Sequence, residues 1–187
     1  DSFNIGYESP ELSAYAEDEI SITNWFKANV GLRYVAFGTD DGLKHSLEPR
    51  AALRFQLCPS AAIKMSYTEM SQAVHLLRAN YLDIPMATWV PSSSKVAPMR
   101  SKQVAGGIYL NLPHNLNFNI EGYWKTMSDL YEYCGIDGVF PDLWNWENEL
   151  IPGKGRSYGA EVEGRWRTGN MDIAAYYTLS WTERYFE

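Results

Sequence analysis

Apolar and polar residues alternate along most of this chain. In SLEPRAALRFQL (Ser46–Leu57), Leu47, Pro49, Ala51, Leu53, Phe55 and Leu57 are apolar, and Glu48, Arg50, Arg54 and Gln56 fall between them. A period of two is that of a β-strand, whose side chains point to opposite faces in turn. The same reading gives Leu12–Ile22, whose apolar face is broken only by Asp18, and then Ala28–Tyr34, Ala61–Tyr67 and Val104–Leu112. Leu116–Trp124, Tyr158–Trp166 and Met171–Trp181 complete the set. The pattern predicts eight strands in four hairpins, with short turns at Asn24–Phe26, Pro59–Ser60, Pro113–Asn115 and Thr168–Asn170.

The expected strands run about 10–12 residues, near what a tilted strand needs to cross a bilayer and beyond the usual mode of about 5–6. Connections alternate between those short turns and longer loops over Gly38–Ser46, Ser71–Ser101 and Ser128–Arg156. Barrels of outer membranes have short periplasmic turns and long extracellular loops. On the apolar face, Tyr34, Tyr67, Trp124, Tyr158 and Trp181 lie toward the long loops, and Phe55, Phe118 and Trp166 toward the short turns. Strand propensity explains many aromatics in a sheet, but two bands at matching depths are what membrane interfaces select. The expectation is therefore that the apolar face meets lipid. Glu48, Arg50, Arg54, Lys64, Glu121, Lys125, Glu161, Glu163 and Arg165 then face a wet lumen, where opposite charges can pair across strands. A dry sandwich core would tolerate such charges only if fully paired.

Composition narrows the remaining choices. A net charge of −7 argues against a nucleic-acid partner, which needs a basic footprint. Two cysteines and three histidines are too few for a disulfide scaffold or a metal cluster. Cys58 in a short turn and Cys134 in a long loop belong at opposite ends of a barrel and should not pair. No P-loop, G-x-G-x-x-G, H-E-x-x-H or G-x-S-x-G pattern occurs. Neither a catalytic residue nor a cofactor is expected.

The residues also carry a resemblance. AYAEDE with GLRY (Ala14–Glu19, Gly31–Tyr34), EPRAALRF (Glu48–Phe55), SYTEMSQAVHLL (Ser66–Leu77) and WVPSSSKVAPMRSKQ (Trp89–Gln103) occur in order. EGYWKTMSDLYEY (Glu121–Tyr133), GKGRSYGAEVEG (Gly153–Gly164) and YTLSWTERYF (Tyr177–Phe186) follow them. Together they resemble the barrel of TonB-dependent outer-membrane receptors, especially those of Bacteroidetes-like Gram-negative bacteria. The resemblance implies an all-β antiparallel transmembrane barrel segment over residues 1–187, belonging to a barrel of about 22 strands. It further implies an N-terminal plug domain, a TonB complex acting on that plug, and an imported small ligand such as a siderophore or glycan. The chain is then an internal piece of such a receptor in the bacterial outer membrane, surrounded by lipid.

For that function the ligand contacts fall on loop aromatics, which give large contact area at low entropy cost. The candidates are Trp89, Tyr131, Tyr133, Trp144 and Trp146, with DLWNWENE (Asp142–Glu149) the densest stretch. The competing reading is that these rings pack the loops against one another. Arg33, Arg50, Arg54, Glu161 and Glu163 could touch the plug, or could form a salt-bridge ladder among themselves. Two other functions stay open: a self-contained eight-stranded barrel with a structural or adhesion role, and a soluble carbohydrate-active domain using Asp142, Glu147 and Glu149. The first requires the outermost strands to pair, and the second requires a fixed spacing between carboxylates.

Overall fold

The computed structural model describes residues 8–79, 86–133 and 146–186, with side chains for all of these except 78, 79 and 86–88. Eight long strands form one antiparallel sheet: β1 (Glu11–Ser21), β2 (Phe26–Thr39), β3 (Gly42–Cys58), β4 (Ala61–Gln72), β7 (Met99–Leu112), β8 (Leu116–Tyr133), β9 (Leu150–Thr168) and β10 (Met171–Phe186). Each pairs with its neighbour in that order. A separate hairpin, β5 (Val74–Ala79) and β6 (Met86–Pro91), stands between β4 and β7. β1 and β10 do not pair with each other, so the sheet is an open wall rather than a closed eight-stranded barrel.

The four short turns fall where alternation breaks. The long connections differ from expectation, because the strands continue into them. Gly38–Ser46 is not a loop: β2 runs to Thr39 and β3 restarts at Gly42, leaving Asp40 and Asp41 as a two-residue turn. Gly42 takes φ +126°, which a residue with a Cβ rarely adopts, and Thr39 Oγ1 binds Asp41 Oδ1 at 2.5 Å. Likewise β8 extends to Tyr133 and β9 begins at Leu150, shortening the third loop from both ends. At about 3.3 Å per residue, the 19 residues of β9 reach roughly 60 Å, about twice the hydrocarbon thickness. The outer parts of the longest strands must stand clear of the membrane.

Register confirms one continuous apolar face. Phe26, Phe55, Ile63, Ile108, Ile120, Val162 and Tyr177 form a single cross-strand row. Val30, Ala51, Tyr67, Val104, Trp124, Tyr158 and Trp181 form another, four positions nearer the long loops. Trp124, Tyr158 and Trp181 stack in sequence with ring centroids 5.0 and 5.4 Å apart. The inner aromatic band drifts across the rows, whereas Tyr67, Trp124, Tyr158 and Trp181 of the outer band share one row, so the two bands are six residues apart on β8 (Phe118 and Trp124). On β2 the limits are Phe26 and Tyr34, and on β9 they are Trp166 and Tyr158, eight residues apart in each case. Both limits sit four positions nearer the short turns on β9 than on β2. Between the bands, Asp18, opposite Val30, is the only charge on this face among the described residues. The large apolar side chains there, including Leu32, Met65, Ile108, Ile120 and Leu179, are exposed. A sheet in water would bury such a face, whereas hydrocarbon solvates it.

Candidate ligand site in the outer loops

The buried core of the described structure lies beyond the outer aromatic band. In β5–β6, register sets His75 opposite Val90 and Leu76 opposite Trp89. Alternation therefore sends His75, Leu77 and Val90 inward and Trp89 outward. Leu77, Val90, Val96 and Trp146 form a core, with Tyr131, Tyr133 and Leu150 packed against it. A short 3-10 turn at Trp146–Glu149 delivers Trp146, which is 5% exposed. The other loops are tied on by polar contacts. Asp40 at the β2–β3 turn accepts the Ser94 amide at 2.6 Å and the Ser94 hydroxyl at 2.7 Å, and these hold its carboxyl below the usual carboxylate range. Lys44 Nζ donates to the Ser93 carbonyl at 2.9 Å, and Lys95 Nζ lies 3.7 Å from Glu147 Oε2.

His75 is only 2% exposed, and its Nε2 meets the Ser92 hydroxyl at 2.9 Å. Its ring stands edge-on to Tyr131 at 5.2 Å, and Nδ1 has no hydrogen-bond partner among the described residues. Burial pushes its pKa down to about 4, opposed by the Ala97 backbone, so the ring is neutral near pH 7. The same burial raises the Tyr131 phenol, whose oxygen accepts the Ala97 amide at 3.0 Å.

The five candidate ligand residues thus occupy different settings. Trp146 lies in the loop core, and Tyr131 and Tyr133 are packed on it, with the Tyr133 hydroxyl donating to Glu149. Trp89 is 59% exposed and stands on the outward side of its hairpin. Trp144 lies outside the described residues, as do Cys134 and Asp142. Cys58, the last residue of β3, is a free, exposed cysteine beside the short turn. Sequence reasoning missed His75, Leu77, Val90 and Val96. The alternation of Val74–Leu77, running straight into a second short apolar run at Trp89–Val90, was the available signal.

The lumenal face differs from the expected ladder. Of Arg33, Arg50, Arg54, Glu161 and Glu163, only Arg33 has an ion pair among the described residues, to Glu11 at 3.3 Å and Glu48 at 3.7 Å. Glu48 is 1% exposed and accepts the Ser71 amide at 2.8 Å and the Ser71 hydroxyl at 2.5 Å, so β2, β3 and β4 meet on one satisfied carboxylate. Deeper in, register aligns like charges: Lys27, Arg54 and Lys64 are cross-strand neighbours, and so are Glu121 and Glu161. Direct like-charge opposition is unfavourable. Arg54 instead donates to Gln56 Oε1 at 2.6 Å, and Lys64 lies 3.9 Å over the Tyr109 ring. Sequence spacing alone could not show which charges would be neighbours, because that is fixed by register.

An antiparallel wall with a lipid-facing apolar belt, a polar lumenal face and long strands reaching past one aromatic band defines a section of a membrane β-barrel. The family model described as TonB dependent receptor-like, beta-barrel matches residues 1–187, and the chain belongs to that family. Solved structures of similar fold include the FrpB iron transporter from Neisseria meningitidis, F3-3 variant, with TM-score 0.64 and 18% identity over 95% of this chain and 26% of that one. The apoprotein form of the F5-1 variant gives TM-score 0.63 and 18% identity over the same shares. The chain therefore spans about a quarter of those transporters. No curated protein matches it.

Proposed function

We propose that this chain is part of the wall of an outer-membrane receptor of a Gram-negative bacterium that imports a small ligand. Lipid surrounds the belt, a plug domain of the same receptor occupies the lumen, and the TonB complex acts through that plug. The ligand is a siderophore, a glycan or another nutrient taken up through the outer loops. The observation that carries this reading is the family match over the whole chain. The apolar belt between two aromatic bands supports it independently, as do neighbours of similar fold that are iron transporters. No catalytic step is assigned: Glu147 is engaged by Lys95 and Glu149 by Tyr133.

Within the loops, Trp89 is the best ligand contact, because its ring is free of the core that occupies Trp146, Tyr131 and Tyr133. Trp144 remains a second candidate on its sequence setting. In the complete receptor, Trp89→Ala should weaken ligand binding about tenfold or more, the scale of an aromatic anchor. Titration of the purified receptor with its transported ligand measures this. Unchanged affinity in Trp89→Ala and Trp144→Ala receptors would move the site off these rings.

A further inference from the structure

Glu17, Asp18 and Glu19 are consecutive acids on β1, and alternation divides them between two solvents. Glu17 and Glu19 share the lumenal side with Asn29, whose Nδ2 donates to Glu17 Oε1 at 2.8 Å. Asp18 points the other way, onto the apolar face. It stands opposite Val30, which lies four residues from Phe26 and four from Tyr34, the aromatic limits on β2. The carboxylate is therefore placed inside the belt rather than at either rim.

The wall gives this carboxylate nothing to hold. Ala16 and Ile20 flank it on the same face of β1, and Ala28, Val30 and Leu32 face it from β2. Among the described residues it has neither a hydrogen bond nor an ion pair. The cations of β2, Lys27 and Arg33, sit at lumenal positions on the far side of the wall. A carboxylate facing hydrocarbon is costly unless a cation or a donor meets it there. Within the sheet, the open side of Asp18 is the free edge of β1, which pairs only with β2.

We infer that Asp18 is one half of an ion pair held in the lipid belt, and that the strand hydrogen-bonded to the free edge of β1 supplies a lysine or arginine on its outward side. This rests on the membrane placement proposed above. Side chains directly opposed on paired strands have Cβ atoms about 5 Å apart, and diagonal ones about 7–8 Å, both within reach of a long basic side chain. Ala14 and Ala16 are short, so its stem can lie along β1. The pair also sets register, because a slip of one residue turns the cation into the lumen and leaves Asp18 alone in lipid. A second copy packed on Asp18 about a two-fold axis fits worse, since it brings its own Asp18 to the contact and like charges repel.

The experiment unfolds the complete receptor with urea in lipid vesicles, as wild type, Asp18→Leu and Asp18→Asn. Leucine suits lipid better than a lone carboxylate does, so the sign of the change is decisive. A paired Asp18 predicts that Asp18→Leu shifts the equilibrium at least about tenfold toward the unfolded state, because the cation loses its partner. Asp18→Asn keeps the shape and should lose about threefold or more, which tests the pair should Asp18→Leu not refold. Replacing the outward lysine or arginine of the adjoining strand by leucine should cost as much as Asp18→Leu, and the double leucine variant should recover most of the loss. Unchanged or raised stability in either Asp18 variant overturns the pair. So does an adjoining strand with no lysine or arginine at the outward positions beside Asp18. Ile120→Arg in the same assay separates the two readings. If it is neutral, the membrane placement fails and the pair with it; if it destabilises while Asp18→Leu does not, only the pair fails.

Discussion

Ile108 and Ile120 in the wall are exposed, while Leu77, Val90 and Val96 in the outer cluster are buried among one another. The same residue types are placed by two solvents. Between the aromatic bands the surroundings are hydrocarbon, so an apolar side chain gains nothing by turning inward, and backbone pairing with a fixed register holds the wall together. Beyond the band the surroundings are water. There the loops acquire a small hydrophobic core of their own, pinned by Asp40, Lys44 and Lys95. One chain thus contains a segment whose stability depends on lipid and another whose stability depends on burial.

That contrast can be broken most forcefully at Trp146. Trp146→Ala removes the largest ring of the loop core and should cost about 3–5 kcal/mol of local stability. Hydrogen exchange in the complete receptor should show lost protection at Trp89–Ala97 and Leu130–Tyr133, with the strands between the bands unaffected. Comparable loss throughout the wall would mean the two regions are one cooperative unit.

Next comes the wall itself. Ile120→Arg places a cation in the lipid belt near its middle and should cost about 2–4 kcal/mol, while Ser66→Arg on the lumenal face should change stability by less than about 0.5 kcal/mol. Urea unfolding of the receptor in lipid vesicles reads both. A larger penalty for Ser66→Arg than for Ile120→Arg would reverse the assignment of the faces.

The smallest effect is a pH response confined to the cluster. His75 titrates near 6.5 in an unfolded loop and at about 4 when buried. The folded loop binds fewer protons, so its stability is complete above about pH 6.5 and is lost as pH falls through 4. Exchange protection at Val90 and Val96 should fall across that window, and His75→Gln should flatten the response. Equal acid sensitivity in the His75→Gln receptor would assign the effect to another group.

Much of this was legible from residue order where one face meets lipid and the other water, because alternation is then strict. The strands from Leu12 to Trp181, their inward charges and both aromatic bands followed from it. Alternation failed at Val35–Ala36–Phe37, where consecutive residues are buried and β2 continues past the membrane. Sequence reading makes Gly38–Ser46 a loop and misses that the Asp41–Gly42 dipeptide marks a tight turn there. It could not show that Trp146 is a core residue while Trp89 is exposed. Both are tryptophans among polar neighbours, and only tertiary packing separates them.

The drift of the inner aromatic band, from Phe26 through Phe118 to Trp166, shows how the belt leans across the wall. Four residues over the five strand steps from β2 to β9 amount to roughly 13 Å of rise against 24 Å of width, a slant of about 30°, close to the range for closed barrels. Any strand completing the cylinder beside β1 or β10 must keep the same pitch, a little under one residue per strand. A shallower or steeper neighbour would leave a seam where polar rims and greasy belt fall out of level.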